Sequence, residues 1–89
     1  MARLEISAVE SNELAAQGGA VDALYELGLM YATGREVGVD LIVAHKFLNL
    51  AAMRGNEAAK RYRMELSAEM DRRQIAEAQK LAREWLRAH

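Results

Sequence analysis

The sequence predicts an all-α protein of about five antiparallel helices, and three observations carry that prediction. With no proline and only six glycines among 89 residues, few positions can interrupt a helix. Apolar residues recur at intervals of three and four, the spacing that gathers side chains on one helical face. The chain also repeats itself at an offset of 36 residues, about the length of one helix pair in a repeat architecture. A single domain is expected, because a chain this short barely buries enough surface to hold one core.

Each element has its own punctuation. Ser7 with Glu10 three residues later can form a capping box, so the first helix is predicted from about residue 8 to Gln17, with Gly18 and Gly19 closing it. The second, from Ala20 to about Thr33, repeats small or apolar residues at 20, 23, 24, 27, 28 and 31 and stops at Gly34. Asp40 is a good N-cap for the third, which is predicted to bury Leu41, Ala44, Phe47, Leu48 and Ala51 before Gly55 ends it. Between Asn56 and His89 neither glycine nor proline occurs, so one long helix is conceivable, but Asp71 followed by Gln74 marks a fresh N-terminus. A fourth helix is therefore placed from about Glu57 to Glu69, burying Ala59, Tyr62 and Leu66. The fifth runs from Arg72 to Arg87 and buries Ile75, Ala78, Ala82, Trp85 and Leu86. Connections of two to six residues set neighbouring helices antiparallel.

The composition favours thin helical layers. Of the 52% apolar residues, 17 are alanine, so contacts between helices should be close. Absence of proline and a 28% charged fraction exclude collagen-like and proline-rich chains, and the aliphatic content is too high for disorder. Without cysteine there is no disulfide framework, thiolate metal site or thiol nucleophile.

At the offset of 36, Ile6, Ala8, Leu14, Ala15, Ala16, Gly19 and Ala23 fall on Ile42, Ala44, Leu50, Ala51, Ala52, Gly55 and Ala59. Average residue usage would give about one or two such identities by chance. The shared A-A-x-x-G-x-x-x-A describes a helix ending on two small residues, a glycine free to turn left-handed, and a next helix opening with a small contact residue. A second echo, at an offset of 38, sets Ala44, Phe47 and Leu48 on Ala82, Trp85 and Leu86. The chain thus divides into a half repeat (1–19), a complete repeat (20–55) and a diverged capping repeat (56–89).

From Ala23 to Ala59 the spacing of Leu27-Gly28, Tyr31, Gly34, Val37, Asp40, Ala44, Phe47, Ala51-Ala52 and Gly55 closely resembles the Sel-one-like repeat, a relative of the tetratricopeptide repeat. The resemblance implies a short α-α superhelix, or solenoid, in which Gly28 lets the paired helix approach Ala44, Ala51 and Ala52 while Tyr31 and Phe47 fill the space between pairs. Three departures stand out: Glu36 occupies the second glycine of the usual G-x-G-V loop, with an extra glycine at Gly38; Val43 replaces the usual lysine; and Phe47 replaces the usual tryptophan. Residues Arg63, Met64 and Ser67 stand where the offset of 36 would put leucine, glycine and tyrosine, which fits a terminal unit whose outer face meets water. The resemblance further implies a non-catalytic adaptor or scaffold that binds a partner protein or peptide. By resemblance the first helix of each pair lines the concave face, so Asp22, Tyr25, Glu26, Leu29 and Thr33 on the second helix form the expected partner surface, extended by Arg61 and Glu65 on the fourth. Packing of Tyr25 and Leu29 against the first helix, or their lying singly on the surface, accounts for the same residues and stays open.

No catalytic set accompanies this surface. Two histidines without cysteine make a zinc site improbable, with His45 assigned to the polar side of its helix and His89 the last residue. The pairs Glu10/Glu13 and Glu65/Glu69 read as solvated helix faces, and the glycines match neither a phosphate-binding loop nor a dinucleotide fingerprint. Neither catalysis nor a metal or cofactor is expected.

Charge divides along the chain: residues 1–39 carry six acids and two bases, residues 40–89 seven acids and ten bases, for a formal net charge of −1. The whole molecule has no field that would draw it to nucleic acid or anionic lipid. A local basic cluster from Arg54 to Arg73, including Lys60, Arg61, Arg63 and Arg72, is the one feature that nucleic-acid binding could use, and Glu57, Glu65, Glu69 and Asp71 cancel most of it. The polarity between halves could instead orient head-to-tail self-association, and fewer than three full repeats leave the ends of a solenoid under-covered, so a structural, homo-oligomeric module is the alternative to the adaptor. Helix swapping between copies is a variant of that alternative. The acidic N-terminal stretch with Glu5, Glu10 and Glu13 is unlike a secretory signal, and no segment has the roughly 20 apolar residues needed to cross a bilayer, so a cytoplasmic location is expected.

Overall fold

A computed structural model describes residues 6–89; residues 1–5, which open the expected half repeat and include Glu5, lie outside the described residues. The described residues form five helices and no strand: α1 (Ala8–Gln17), α2 (Val21–Thr33), α3 (Leu41–Met53), α4 (Glu57–Ser67) and α5 (Arg72–Ala88). The all-helical expectation holds, and each helix begins within a residue of the expected place. No helix among them is long and apolar enough to cross a membrane.

Side-chain oxygens fix four of the five starts by taking up otherwise unpaired amide donors. Ser7 Oγ accepts from the Glu10 amide (3.2 Å), Asp40 Oδ1 from Val43 (3.1 Å), Asn56 Oδ1 from Ala59 (2.8 Å) and Asp71 Oδ1 from Gln74 (2.8 Å). Only Asp71 completes a reciprocal box, its own amide donating to Gln74 Oε1 at 3.0 Å. At Ser7 the second half of the expected box is not made. Ala20, expected inside α2, is instead its N-cap, exposed and without a capping side chain.

The two A-A-x-x-G segments close their helices in the same way. Gly19 (φ +89°) donates its amide to Ala16 O at 2.9 Å and Ala20 to Ala15 O at 3.1 Å. Gly55 (φ +98°) donates to Ala52 O at 3.0 Å and Asn56 to Ala51 O at 3.1 Å. This paired bonding across a left-handed residue is the Schellman closure, which β-carbon crowding largely reserves for glycine. In the loop after α2, Gly34 is left-handed (φ +78°), and so is Glu36 (φ +65°), where the repeat pattern would place glycine.

Helix α3 is the hub, packing against α2, α4 and α5, while α1 packs on α2. Leu24, Leu27, Met30, Leu48 and Leu50 are fully buried, and Ala44, Ala51, Ala59 and Ala78 supply the close seams. Gly28 faces Leu48 across the α2–α3 contact. Tyr31 of α2 and Phe47 of α3 stack with ring centroids 6.1 Å apart.

Three expectations are corrected. His45 is 3% exposed, not on a polar side: α3 is covered on three flanks, so few of its positions meet water. Its Nε2 lies 3.0 Å from Ser67 Oγ, and that hydroxyl donates its single hydrogen to Arg63 O at 2.8 Å. Ser67 can therefore only accept from His45, which holds its proton on Nε2 and leaves Nδ1 bare, buried and without a partner among the described residues. Leu86, expected in the core, is 40% exposed. Finally, α4 and α5 do not form a close pair; each docks on α3 and they scarcely touch one another. The register supplies the reason. Leu24 and Gly28, buried in the α2–α3 contact, correspond at the offset of 36 to Lys60 and Met64. An ammonium resists an apolar seam, and a methionine fills the space that glycine leaves empty. Met64 is accordingly 62% exposed.

Candidate partner-binding cleft

Because α1 rests on α2 and α5 rests on α3, a cleft of about 240 Å³ opens between them. Its floor is Leu27 of α2 with Ala16 of α1, and Phe47 of α3 and Trp85 of α5 form its aromatic walls. Glu13, Gln17, Lys46 and His89 supply polar atoms at the rim.

Local geometry presets these walls. Trp85 and His89 are one helical turn apart and stack with centroids 4.3 Å apart, while His89 Nδ1 lies 3.0 Å from Trp85 O. Arg54, the residue that caps α3, places its guanidinium carbon 5.7 Å from the Trp85 centroid and donates to Gly19 O at 3.1 Å. One side chain thus ties the closing turn of α1 to the indole of α5. Lys46 Nζ stands 4.5 Å from the centroid of its neighbour Phe47. Burial lowers the Lys46 pKa more than Glu13 and Glu84 raise it, so the ammonium is partly stripped of water yet paired with neither acid among the described residues. Burial, with Glu13 and Asp40 nearby, raises the pKa of Tyr31 beneath the cleft wall.

This arrangement can hold a single apolar or aromatic side chain and offer it a cation, an amide and a carboxylate at the mouth. Among the described residues no group of three or more His, Asp or Glu is placed to hold a metal ion.

The residues assigned to a concave face lie elsewhere. On α2, Asp22 and Thr33 are exposed, Thr33 Oγ1 donates to Leu29 O at 2.8 Å, and Glu26 is ion-paired with Arg35 at 2.5 Å. Tyr25 is half-buried and packs on the core, and Leu29 is half-buried. Arg61 and Glu65 are exposed on α4, and no bond or ion pair among the described residues joins them to the α2 group. Within the basic cluster, Arg54 is engaged with Gly19 and Arg63 Nη1 donates to Asn49 Oδ1 at 2.7 Å, leaving Lys60, Arg61, Arg72 and Arg73 exposed. Sequence reasoning read Phe47 and Trp85 as core plugs only; their echo at the offset of 38 was the signal that could have marked them as a wall. The sequence marked Glu13 only as a solvated helix-face acid and Gln17 only as the end of the first helix.

Compared with models of protein families, with curated proteins and with solved structures, the chain matches none.

Proposed function

We propose that the protein is a non-catalytic adaptor of the tetratricopeptide-like solenoid class that captures a partner protein by one bulky side chain. The observation that carries this reading is the convergence of Phe47, Trp85 and the poorly hydrated Lys46 on one small recess. Aromatic anchors in a desolvated pocket dominate most protein interfaces, and a charged rim adds selectivity. A recess of about 240 Å³ is below the usual size for a cofactor site and suits an anchor residue of a longer segment. The glycine and alanine seams, and the like closures at Gly19 and Gly55, support the Sel-one-like resemblance. That resemblance in turn favours an interaction module over an enzyme.

Trp85 is the only tryptophan, so its emission reads occupancy of the cleft directly. A peptide library displayed against the folded protein should yield binders that shift this emission and lose affinity for Lys46→Glu and Phe47→Leu variants. Binders that ignore both substitutions but are lost with Tyr25→Ala and Leu29→Ala would move the site to the α2 face. A library without a single specific binder would overturn the adaptor reading.

A further inference from the structure

Resting on the adaptor reading of the cleft, we propose that the partner segment pairs its bulky anchor with a neighbouring aspartate or glutamate, whose carboxylate is bound by Lys46. The anchor fills the recess, and the acid decides which anchors are kept.

The two cations that stand on the aromatic walls are unequally engaged. Arg54 holds its guanidinium carbon 5.7 Å from the Trp85 centroid and also donates to Gly19 O at 3.1 Å. Lys46 has a ring but no anion: its Nζ stands 4.5 Å from the Phe47 centroid, and it makes no ion pair among the described residues. The side chain is half-buried, so water replaces the missing partner only in part. Burial accordingly lowers its pKa, although Glu13 and Glu84 act to raise it. A cation stripped of that much hydration binds a delivered carboxylate more strongly than an open surface lysine does.

The cleft also dictates how the acid must arrive. Ala16 and Leu27 floor the recess with hydrocarbon side chains, so a charged group finds no partner there and the anchor itself has to be apolar or aromatic. The carboxylate then meets Lys46 at the mouth, which places it within a residue or two of the anchor on the same segment. An acid without an anchor is not retained, because Glu13 and Glu84, both exposed, repel a free anion near Lys46. A side-chain carboxylate suits the site better than a chain-terminal one. Terminal carboxylates are captured by fans of backbone amides, and the amides of Gly19 and Ala20, just past the lining residues Ala16 and Gln17, are already donated to Ala16 O and Ala15 O. Lys46, a point charge on a flexible stem, accepts an acid from a range of approaches.

Selection from a displayed library of short internal segments, which carry no free chain end, tests this. Binders of the wild type should combine a bulky residue with an aspartate or glutamate within a residue or two and should shift the emission of Trp85. Lys46→Met keeps the stem and removes the charge; its binders should retain the bulky residue and lose the acid. Lys46→Glu should select lysine or arginine in place of the acid. Circular dichroism checks that both variants fold. In one wild-type binder, changing the acid to its amide should weaken binding by about tenfold. The same change should leave binding to the Lys46→Met variant unaltered. A second library with free C-termini is the control. Binders that shift Trp85 emission without any preference for an acid overturn this inference and leave the adaptor reading standing. So does a preference that survives Lys46→Met, or one that appears only with a free C-terminus. Libraries without a single specific binder overturn both.

Discussion

Gly28 of α2 lies so close to Leu48 of α3 that a β-carbon at position 28 would stand 2.6 Å from Leu48 Cδ2 and 2.7 Å from its Cγ. Leu48 is fully buried. Alanine at 28 would gain about 1 kcal/mol in helix propensity, but overpacking a filled core costs about 1–3 kcal/mol. Gly28→Ala should therefore lower stability by up to about 2 kcal/mol in urea unfolding. Adding Leu48→Val should recover part of the loss, a non-additivity that identifies the pair as the cause.

Glu36 holds a left-handed backbone that crowds its β-carbon, at a cost of about 1–2 kcal/mol for a residue other than glycine. Glycine removes the crowding and gives back about 0.5–1 kcal/mol in chain entropy. Glu36→Gly should raise the thermal midpoint by a margin equivalent to about 0.5–1 kcal/mol, and Glu36→Val should lower it.

His45 makes stability depend on mildly acidic pH. Burial first, and the Arg63 guanidinium second, hold its pKa below the ordinary histidine value. The unfolded chain therefore binds this proton more readily than the folded one. The stabilising contribution is full above the unfolded pKa of about 6.5 and drains away as pH falls below it. A proton arriving at Nδ1 would find no acceptor at the α3–α4 contact. Urea midpoints of the wild type should drop between neutral and mildly acidic pH, and His45→Gln should flatten that slope.

The reciprocal box at Asp71 separates α4 from α5, and Asp71→Ala removes its side-chain half. The loss should be about 1 kcal/mol, and it should exceed that of Ser7→Ala, whose cap is single. Thermal unfolding of the two variants side by side gives the comparison.

Local chemistry made the helix ends readable: Ser7, Asp40 and Asp71 act within three residues of themselves, as the unremarked cap Asn56 does in the structure, and glycine at 19, 34 and 55 turns the chain wherever it stands. Burial was readable where a helix leans mainly on one neighbour, as on α4, whose expected core residues Ala59 and Leu66 are buried. It failed on α3, which three helices enclose, so that His45 and Leu50 are buried on an arc that a two-sided helix would give to water. The α4–α5 pairing failed for a related reason: the offset of 36 set Met64 against Gly28, but only the packed structure shows that Met64 faces water and that α4 and α5 each dock on α3 instead. The cleft was out of reach because it depends on how far α1 and α5 stand apart, which no single segment encodes.

The matched closures at Gly19 and Gly55 reach further than either turn. The residues that follow them, Ala20 (φ −68°, ψ 114°) and Asn56 (φ −78°, ψ 106°), leave in nearly the same direction, so residues 20–55 begin and end on interchangeable joints. Duplicating that 36-residue cassette in frame would splice in two more rods without any junction meeting an unfamiliar backbone angle, and a gene encoding such a chain could be lengthened or shortened by whole modules.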